Sequence, residues 1–296
     1  MSQLRRYPIP TRRYPPEPAL PSRARGWPKA MGLAGAAVLG TMLLLVVFGP
    51  MAWPLAPDAV ATGEVLRPPS FSHPLGTDHF GRDMLARVLH GGRLSLGGAV
   101  AAVSMAAFCG SVLGLLAGYE DGLLDLVLGA AMEALLALPG LLLALVLTWL
   151  LGQGMRAAIL SVGVAGIPMY FRVARAAAKK LRRAQFVRAA HAIGASWGRV
   201  MLRHVLPNAA GPLWSIIALD IGWSLLHLSA ISFLGVGAKP PQAEWGQMLS
   251  EARLYLRSAP WLALWPGLAI SLAVLAASSL AEAIQDNIDP LRAGWR

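Results

Sequence analysis

Two residues that can bind metals or carry protons lie inside a long apolar stretch. Asp220 and His227 fall within the apolar run 209–236, seven residues apart. On a helix of about 3.6 residues per turn, this spacing places both on one face, with Ser224 between them and a rise of about 10.5 Å. Because a metal ligand lies only about 2 Å from its ion, one ion cannot contact both residues, and the pattern favours two stations along a transport path.

The sequence leaves other interpretations of this pair open. Carboxylate and imidazole both bind divalent transition metals without selecting one of them, so Asp220 and His227 are candidate transient metal ligands. They would serve equally well as a polar pair packed against a partner subunit, since charged groups in membrane helices usually face a partner or a cavity. Glu133, in another apolar run, is a further candidate for the path, and a hydrogen bond to a neighbouring helix explains it as well.

Motifs for enzymatic chemistry are missing from the apolar runs. They contain neither the His-Glu-x-x-His zinc motif nor the Gly-x-Ser-x-Gly nucleophile motif, and the whole chain lacks a Gly-x4-Gly-Lys-Ser/Thr loop for ATP. The single cysteine, Cys109, rules out an intrachain disulfide. We therefore predict a protein without catalytic residues and without a cofactor of its own.

The composition predicts an all-α integral membrane protein. Hydrophobic residues make up 56% of the 296 residues and charged ones only 14%, against about 25% charged in soluble domains. The net charge of +11 could indicate nucleic acid, but Lys and Arg also accumulate in cytoplasmic loops, and we predict no nucleic-acid partner. The apolar blocks are long enough to cross a bilayer and give six predicted transmembrane helices: 30–53, 94–118, 123–151, 157–178, 209–236 and 261–284.

The distribution of charge predicts the orientation. With the N-terminus inside, cytoplasmic segments hold 18 of the 26 Lys and Arg residues, so both termini are expected in the cytoplasm. The predicted organisation is a disordered basic, Pro-rich cytoplasmic tail (1–29), a first transmembrane helix (30–53), an external loop (54–93), a core with five more helices (94–284) that includes a cytoplasmic loop (179–208), and a cytoplasmic C-terminal tail (285–296).

The loop 179–208 is too charged to cross a membrane and too regular to be a linker. Two short helices are predicted, 185–193 and 196–205, separated by Gly194, which suits a backbone turn or the close approach of a partner. Alanines give the first helix a flat face, and Pro207 is placed to open the fifth span. The pattern favours a docking element over an ordinary positively charged loop.

This loop resembles the conserved cytoplasmic loop of permease subunits in ABC importers, in the run 186–196 and in the Arg-His-x-Leu-Pro-Asn sequence 203–208. In that family the loop folds as a coupling helix and sits in a cleft on the ATP-hydrolysing subunit. This chain has Arg188 where the family usually has Glu, and His191 where the peptide-type branch commonly has Arg. The resemblance implies that the ATPase-coupling residues are Arg188, Ala189, Ala190, Gly194, Arg203 and Pro207.

Further motifs are similar to the peptide and nickel branch of these importers, over about residues 73–292. They are His-Pro-Leu-Gly-Thr-Asp with Gly-Arg-Asp (73–83), Ser-Phe-Leu-Gly-Val-Gly (232–237), Glu-Trp-Gly (244–246), Pro-Gly-Leu (266–268) and Asp-Pro (289–290). The surroundings of Asp220 and His227 most resemble the nickel-type permease. We therefore predict import of nickel or a metal chelate, with dipeptides or oligopeptides as the alternative and a proton-coupled secondary transporter as a remote one.

The resemblance also implies an assembly in the bacterial inner membrane. The fold would be that of a type I ABC importer permease, surrounded by lipid and paired with a second, homologous permease as a heterodimer. Two cytoplasmic ATPase subunits would bind ATP and Mg and drive the motion through the coupling helices. An external solute-binding protein would deliver the substrate and contact the segments 240–241 and 244–245.

Overall fold

The protein is helical throughout the part that the structure describes. The computed structural model describes residues 27–120 and 122–288, and within them it contains no β-strand, which confirms the predicted all-α class. The tail predicted at 1–29 falls outside this part up to residue 26, as do residues 289–296. The helices are α1 (Trp27–Ala52), α2 (Met84–Glu120), α3 (Leu123–Leu136), α4 (Gly140–Leu150), α5 (Met155–Arg182), α6 (Gln185–Ala192), α7 (Trp197–Val200), α8 (Leu206–Phe233), α9 (Trp245–Ala252) and α10 (Trp261–Ile288).

Five of the described helices are long and apolar enough to cross a membrane, namely α1, α2, α5, α8 and α10. A sixth span exists if α3 and α4 are counted together, although the two axes meet at 94°. The sequence predicts a single span over 123–151, and the structure bends this span sharply between α3 and α4. Pro139 precedes α4, and because proline disfavours a helical residue before it and cannot donate a helical hydrogen bond, the helix breaks there.

Helices α2 and α5 form the most extensive helix pair of the described fold. Gly110, Gly114 and Gly118, four residues apart, all lie against α5. A Cβ atom placed on Gly114 would lie 2.9 Å from Ala174 Cβ, which leaves no room for a side chain. Small residues at this spacing let two membrane helices approach closely, and the close packing fixes the cytoplasmic ends of α2 and α5.

The polar segment before α2 folds into a compact cap. Helix α2 begins at Met84, ten residues before the predicted span, because Asp83 caps it. Asp83 Oδ2 accepts hydrogen bonds from the Ala86 amide (2.8 Å) and Trp53 Nε1 (2.9 Å), while Oδ1 lies 2.8 Å from His73 Nδ1. One buried carboxylate thus joins the end of α1, the following segment and the start of α2.

A second group of charges ties this cap to α9. Arg82 Nε donates to Asp78 Oδ2 at 2.6 Å, and Arg87 Nη2 donates to Glu251 Oε2 at 2.9 Å. Arg82 also reaches Glu251, with 3.2 Å between Nη2 and Oε2. We call Asp78, Arg82, Arg87 and Glu251 the external ion cluster. Its two arginines and Asp78 are buried, so each charge depends on its partners inside the protein.

Candidate functional site

The predicted docking element is a surface segment anchored on the ends of α2 and α5. We call residues 185–200, which comprise α6, the turn after it and α7, the coupling segment. Its inner face is apolar: Val187, Ala190 and Val200 are buried in one cluster with Leu115 of α2 and Ala178 of α5. Ala190, predicted to be a coupling residue, therefore packs against its own protein, whereas the neighbouring Ala189 is exposed.

Gly194 ends helix α6 by reversing the backbone. Its φ is +84°, a conformation that costs a non-glycine residue about 1–2 kcal/mol. The Gly194 amide donates to the His191 carbonyl at 2.9 Å and the Ala195 amide to the Ala190 carbonyl at 3.0 Å, which is the Schellman pattern of helix ends. A Cβ at Gly194 would meet no atom within 4 Å. Within this chain, glycine is needed for the turn and not for space.

The outer face of the coupling segment combines cations with exposed apolar side chains. Arg188 and Ala189 are exposed, and the Ile193 side chain next to the turn is 87% exposed. Phe186 and Trp197 are also more than one third exposed. The sequence has no Asp or Glu from residue 134 to residue 219. An apolar surface of this kind on a water-facing loop is typical of a docking surface for another protein.

A hydrogen bond across the helix ends holds α6, and sequence analysis did not identify it. Tyr119 Oη, in the last turn of α2, lies 2.6 Å from His191 Nε2. The Tyr119 ring also meets Trp197 edge-on, with 6.0 Å between centroids. The available signal was a tyrosine at the end of a span, since a buried tyrosine hydroxyl usually finds a partner.

The coupling segment continues into α8 without a break. A π-helical turn, Met201–Val205, joins α7 to α8, and Pro207 lies in the first turn of α8, as predicted. Pro207 has no N–H to donate, and the Asn208 side chain supplies a donor to the His204 carbonyl at 2.7 Å. Arg203 lies on this turn and is exposed. Turns of this type recur at functional sites, and here one connects the coupling segment to a membrane helix.

An ion cluster on the inner side of the bent helix pair was also missed. Asp125 of α3 is buried and accepts hydrogen bonds from Lys179 Nζ at 2.6 Å and from Arg175 Nη2 at 2.7 Å. It fixes the last turns of α5, where the chain leaves for the coupling segment. Glu133, which sequence analysis selected on the same helix, is exposed.

The polar residues of α8 are partly occupied by contacts within the chain. Asp220 Oδ2 accepts a hydrogen bond from Tyr170 Oη of α5 at 2.9 Å. Ser224 is buried, and His227 is half-buried with its ring 6.3 Å from that of Trp223. The three residues share a helix, as predicted. Among the described residues, no third side chain that could bind a metal lies together with Asp220 and His227.

Three such side chains do converge elsewhere, at Asp78, His79 and Glu251 on the external side. Two of them, Asp78 and Glu251, already belong to the external ion cluster and bind Arg82. Because the positive charges of Arg82 and Arg87 occupy these carboxylates, the group is a salt-bridge network and does not support a metal site.

The resemblance implies that the segments 240–241 and 244–245 contact a solute-binding protein, but residues 244 and 245 are buried. Glu244 is 0% exposed and Trp245 1%. The Glu244 carboxylate accepts from Ser95 Oγ at 2.8 Å and from the Gln247 amide at 2.8 Å, so it caps α9. These two residues are structural, and the surface of this loop is formed by Pro240 and Pro241, which are exposed.

Comparison with known proteins gives a consistent result. Residues 110–293 match the family described as binding-protein-dependent transport system inner membrane component. The chain is 34% identical over 260 residues to the dipeptide transport system permease protein of Alkalihalophilus pseudofirmus, covering 88% of this chain and 86% of the relative. It is 35% identical over 262 residues to the probable D,D-dipeptide transport system permease protein of Escherichia coli, covering 88% of each.

A third relative is the glutathione transport system permease protein of Pectobacterium atrosepticum, 37% identical over 222 residues, which cover 75% of this chain and 74% of the relative. The family match covers more than half of the chain and includes the coupling segment. The chain therefore belongs to this family, as a non-catalytic, multi-pass permease of an ABC importer in the bacterial inner membrane that works with ATPase and substrate-binding partners.

Proposed function

We propose that this chain is one of two homologous permease subunits of an importer for short peptides. The observation that supports this most is the substrate of the similar permeases, which are named for dipeptide and glutathione transport and align with three quarters or more of the chain. Nickel, the substrate predicted from the surroundings of Asp220 and His227, has no comparable support. Neither residue is part of a three-ligand group, and Asp220 already accepts a hydrogen bond.

A peptide path also fits the chemistry of α8. A peptide carries amide donors and acceptors along its backbone, and crossing an apolar barrier without partners for them would be costly. Asp220, Ser224 and His227 offer acceptors and donors at successive levels of one helix, and Glu133 offers a fourth group on α3. We assign these four residues to the translocation path, with Tyr170 holding the Asp220 carboxylate in place.

The coupling segment is the proposed docking site for an ATPase subunit. Its outer face presents Arg188 and Ala189 beside the Gly194 turn, and Arg203 and Pro207 lie where the segment passes into α8. A push on α6 would reach α2 through the Tyr119–His191 hydrogen bond and α8 through the π-helical turn. ATP and Mg would be held by the two ATPase subunits and not by this chain.

Uptake by a deletion strain tests the substrate. Cells that lack this gene and carry it on a plasmid are given labelled dipeptide or labelled nickel, in parallel. The proposal expects restored dipeptide uptake and no change in nickel uptake. Nickel uptake restored without dipeptide uptake would overturn the substrate class while leaving the permease family intact.

The path is tested separately with Asp220→Asn and His227→Ala. Each variant is expected to lower dipeptide uptake several-fold with normal amounts of protein in the membrane. Ser279→Ala is the matched control, since Ser279 lies on α10 and its hydroxyl bonds only the Leu275 carbonyl. Wild-type uptake by both α8 variants would show that Asp220 and His227 are packing residues.

A further inference from the structure

A basic pocket opens beside the coupling segment. Its volume is about 470 Å³, and it is lined by Gly118, Lys179, Arg182, Arg183 and Arg188. Of these five described lining residues, four carry a positive charge and none carries a carboxylate. Two separate elements supply the charges, the end of α5 and the helix α6. Gly118 forms the bare floor where α2 packs against α5.

The dipole of helix α5 explains only part of this positive charge. Lys and Arg in the last turn of a helix are stabilised by the partial negative charge of its carbonyls, which explains Lys179 and Arg182. Lys179 also binds Asp125 at 2.6 Å, and Glu120 lines the neighbouring pocket together with Arg182. None of this explains Arg188, which lies on a different helix and lines the same space.

The chemistry of the lining selects an anion with several oxygens. A guanidinium is a planar fork of donors that binds phosphate in a bidentate way, and arginine is favoured over lysine where this geometry matters. The pocket follows the apolar stretch 157–178, at the cytoplasmic boundary of the membrane, where basic pockets between helices bind phosphate headgroups.

We propose that this pocket binds a phosphate group, supplied by an anionic lipid headgroup or by a soluble phosphate compound. Bound there, the phosphate would bridge Arg183 at the end of α5 to Arg188 on α6. Its oxygens would then accept hydrogen bonds from a membrane helix and from the coupling segment at once. The site is distinct from the peptide path and does not depend on the substrate class.

Binding is measured on the full chain, co-purified with its partner subunits and placed in lipid nanodiscs. One arm uses phosphatidylcholine nanodiscs containing one fifth phosphatidylglycerol, and native mass spectrometry counts the phosphatidylglycerol retained after detergent exchange. The other arm titrates pyrophosphate into complexes in pure phosphatidylcholine. The test variant is R183Q/R188Q, and the matched control is K180Q/R199Q, which removes two exposed cations that do not line the pocket.

The proposal expects the wild type and the control to bind one of the two probes alike. R183Q/R188Q is expected to bind at least about 10-fold more weakly, since each charge-assisted hydrogen bond is worth about one decade or more in affinity. Retention of phosphatidylglycerol identifies a lipid headgroup, and binding of pyrophosphate identifies a soluble ligand. Binding of neither probe, or an equal loss in the control, overturns the proposal.

Discussion

The two water-facing sides of this protein handle charge in opposite ways. On the external side, acids and bases pair inside a folded cap, where Asp78, Arg82, Arg87 and Glu251 satisfy one another and Asp83 binds three separate donors. On the cytoplasmic side, residues 172–203 have nine cations and no Asp or Glu, and only two of these cations, Arg175 and Lys179, bind the buried Asp125 of α3 in the contacts described above. The first side supplies its own partners, whereas the second exposes Arg188 and apolar side chains of the coupling segment, where we propose that the ATPase docks.

Because of this difference, we expect substitutions on the external side to change stability and substitutions on the cytoplasmic side to change coupling. Removing one member of a buried, paired group costs several kcal/mol because it leaves the others unsatisfied. Exposed residues contribute little to the stability of the chain that carries them, yet they can dominate binding to a partner. Substitutions in the external cap should therefore unfold the protein, and substitutions on the outer face of the coupling segment should leave a folded protein that transports poorly.

The largest effect is expected for Asp83→Ala in the external cap. The change leaves the Ala86 amide, Trp53 Nε1 and the His73 ring without their acceptor. At about 1–3 kcal/mol for each unsatisfied group, we expect the free energy of unfolding to fall by about 3–5 kcal/mol. Thermal unfolding of the purified protein measures this loss of stability. Glu64→Ala, an exposed carboxylate in the same cap, should change it by less than about 0.5 kcal/mol; equal losses would contradict the assignment.

The next effect concerns binding and not folding. Ile193→Ser replaces a side chain that is 87% exposed, so thermal unfolding should stay within about 0.5 kcal/mol of wild type. If Ile193 anchors the ATPase, substrate-stimulated ATP hydrolysis should fall at least about 10-fold, as expected for a buried apolar anchor of an interface. Leu254→Ser, similarly exposed at 77% but on the external side, is the matched control. Normal hydrolysis in Ile193→Ser would remove this residue from the docking surface.

A smaller effect is expected at the Gly194 turn. Gly194→Val forces a β-branched residue to a φ of +84°, at a cost of about 1–2 kcal/mol, so the end of α6 should unwind and uptake per ATP hydrolysed should drop. Gly194→Asn is the informative control, because asparagine tolerates this conformation and the site has open space. Failure of both variants to the same degree would indicate that a partner, and not the turn, requires glycine.

The smallest effect is expected for Tyr119→Phe, which removes a single hydroxyl. The loss of its hydrogen bond to His191 should cost about 1 kcal/mol and lower uptake a few-fold without changing the amount of folded protein. Hydrogen exchange of α6 amides should accelerate in this variant. Unchanged exchange and unchanged uptake would mean that the buried residues Val187 and Ala190 hold α6 without help.

Sequence analysis succeeded where the signal is local. The length and apolarity of the spans follow from the thickness of the bilayer, and the Gly194 turn follows from the backbone preference of one residue. The end of α6 was predictable for the same reason, because the Gly194 turn follows it directly. Charge counting along the chain placed the loop 179–208 in the cytoplasm.

The parts that were missed depend on contacts between distant segments. The Tyr119–His191 and Tyr170–Asp220 hydrogen bonds join residues 72 and 50 positions apart, and no periodicity encodes them. Asp125 could be located in an apolar helix but not paired with Arg175 from sequence alone. The break at Pro139 was missed although its signal, the proline itself, is local. The apolar run 123–151 is long enough to suggest one span, and the proline was not weighed against that length. The nickel prediction failed to gain support because one helix face cannot define a ligand set.

Site-directed crosslinking tests the central claim that the coupling segment docks the ATPase. Cys109 is the only cysteine, so Cys109→Ser gives a background in which Ile193→Cys or Leu254→Cys is the single thiol of the chain. Membranes with the co-expressed ATPase are treated with a photoactivatable maleimide reagent and blotted for both subunits. We predict an adduct between permease and ATPase from position 193, weakened when ATP is withheld, and none from position 254. No ATPase adduct from position 193, or equal adducts from both positions, would contradict the account.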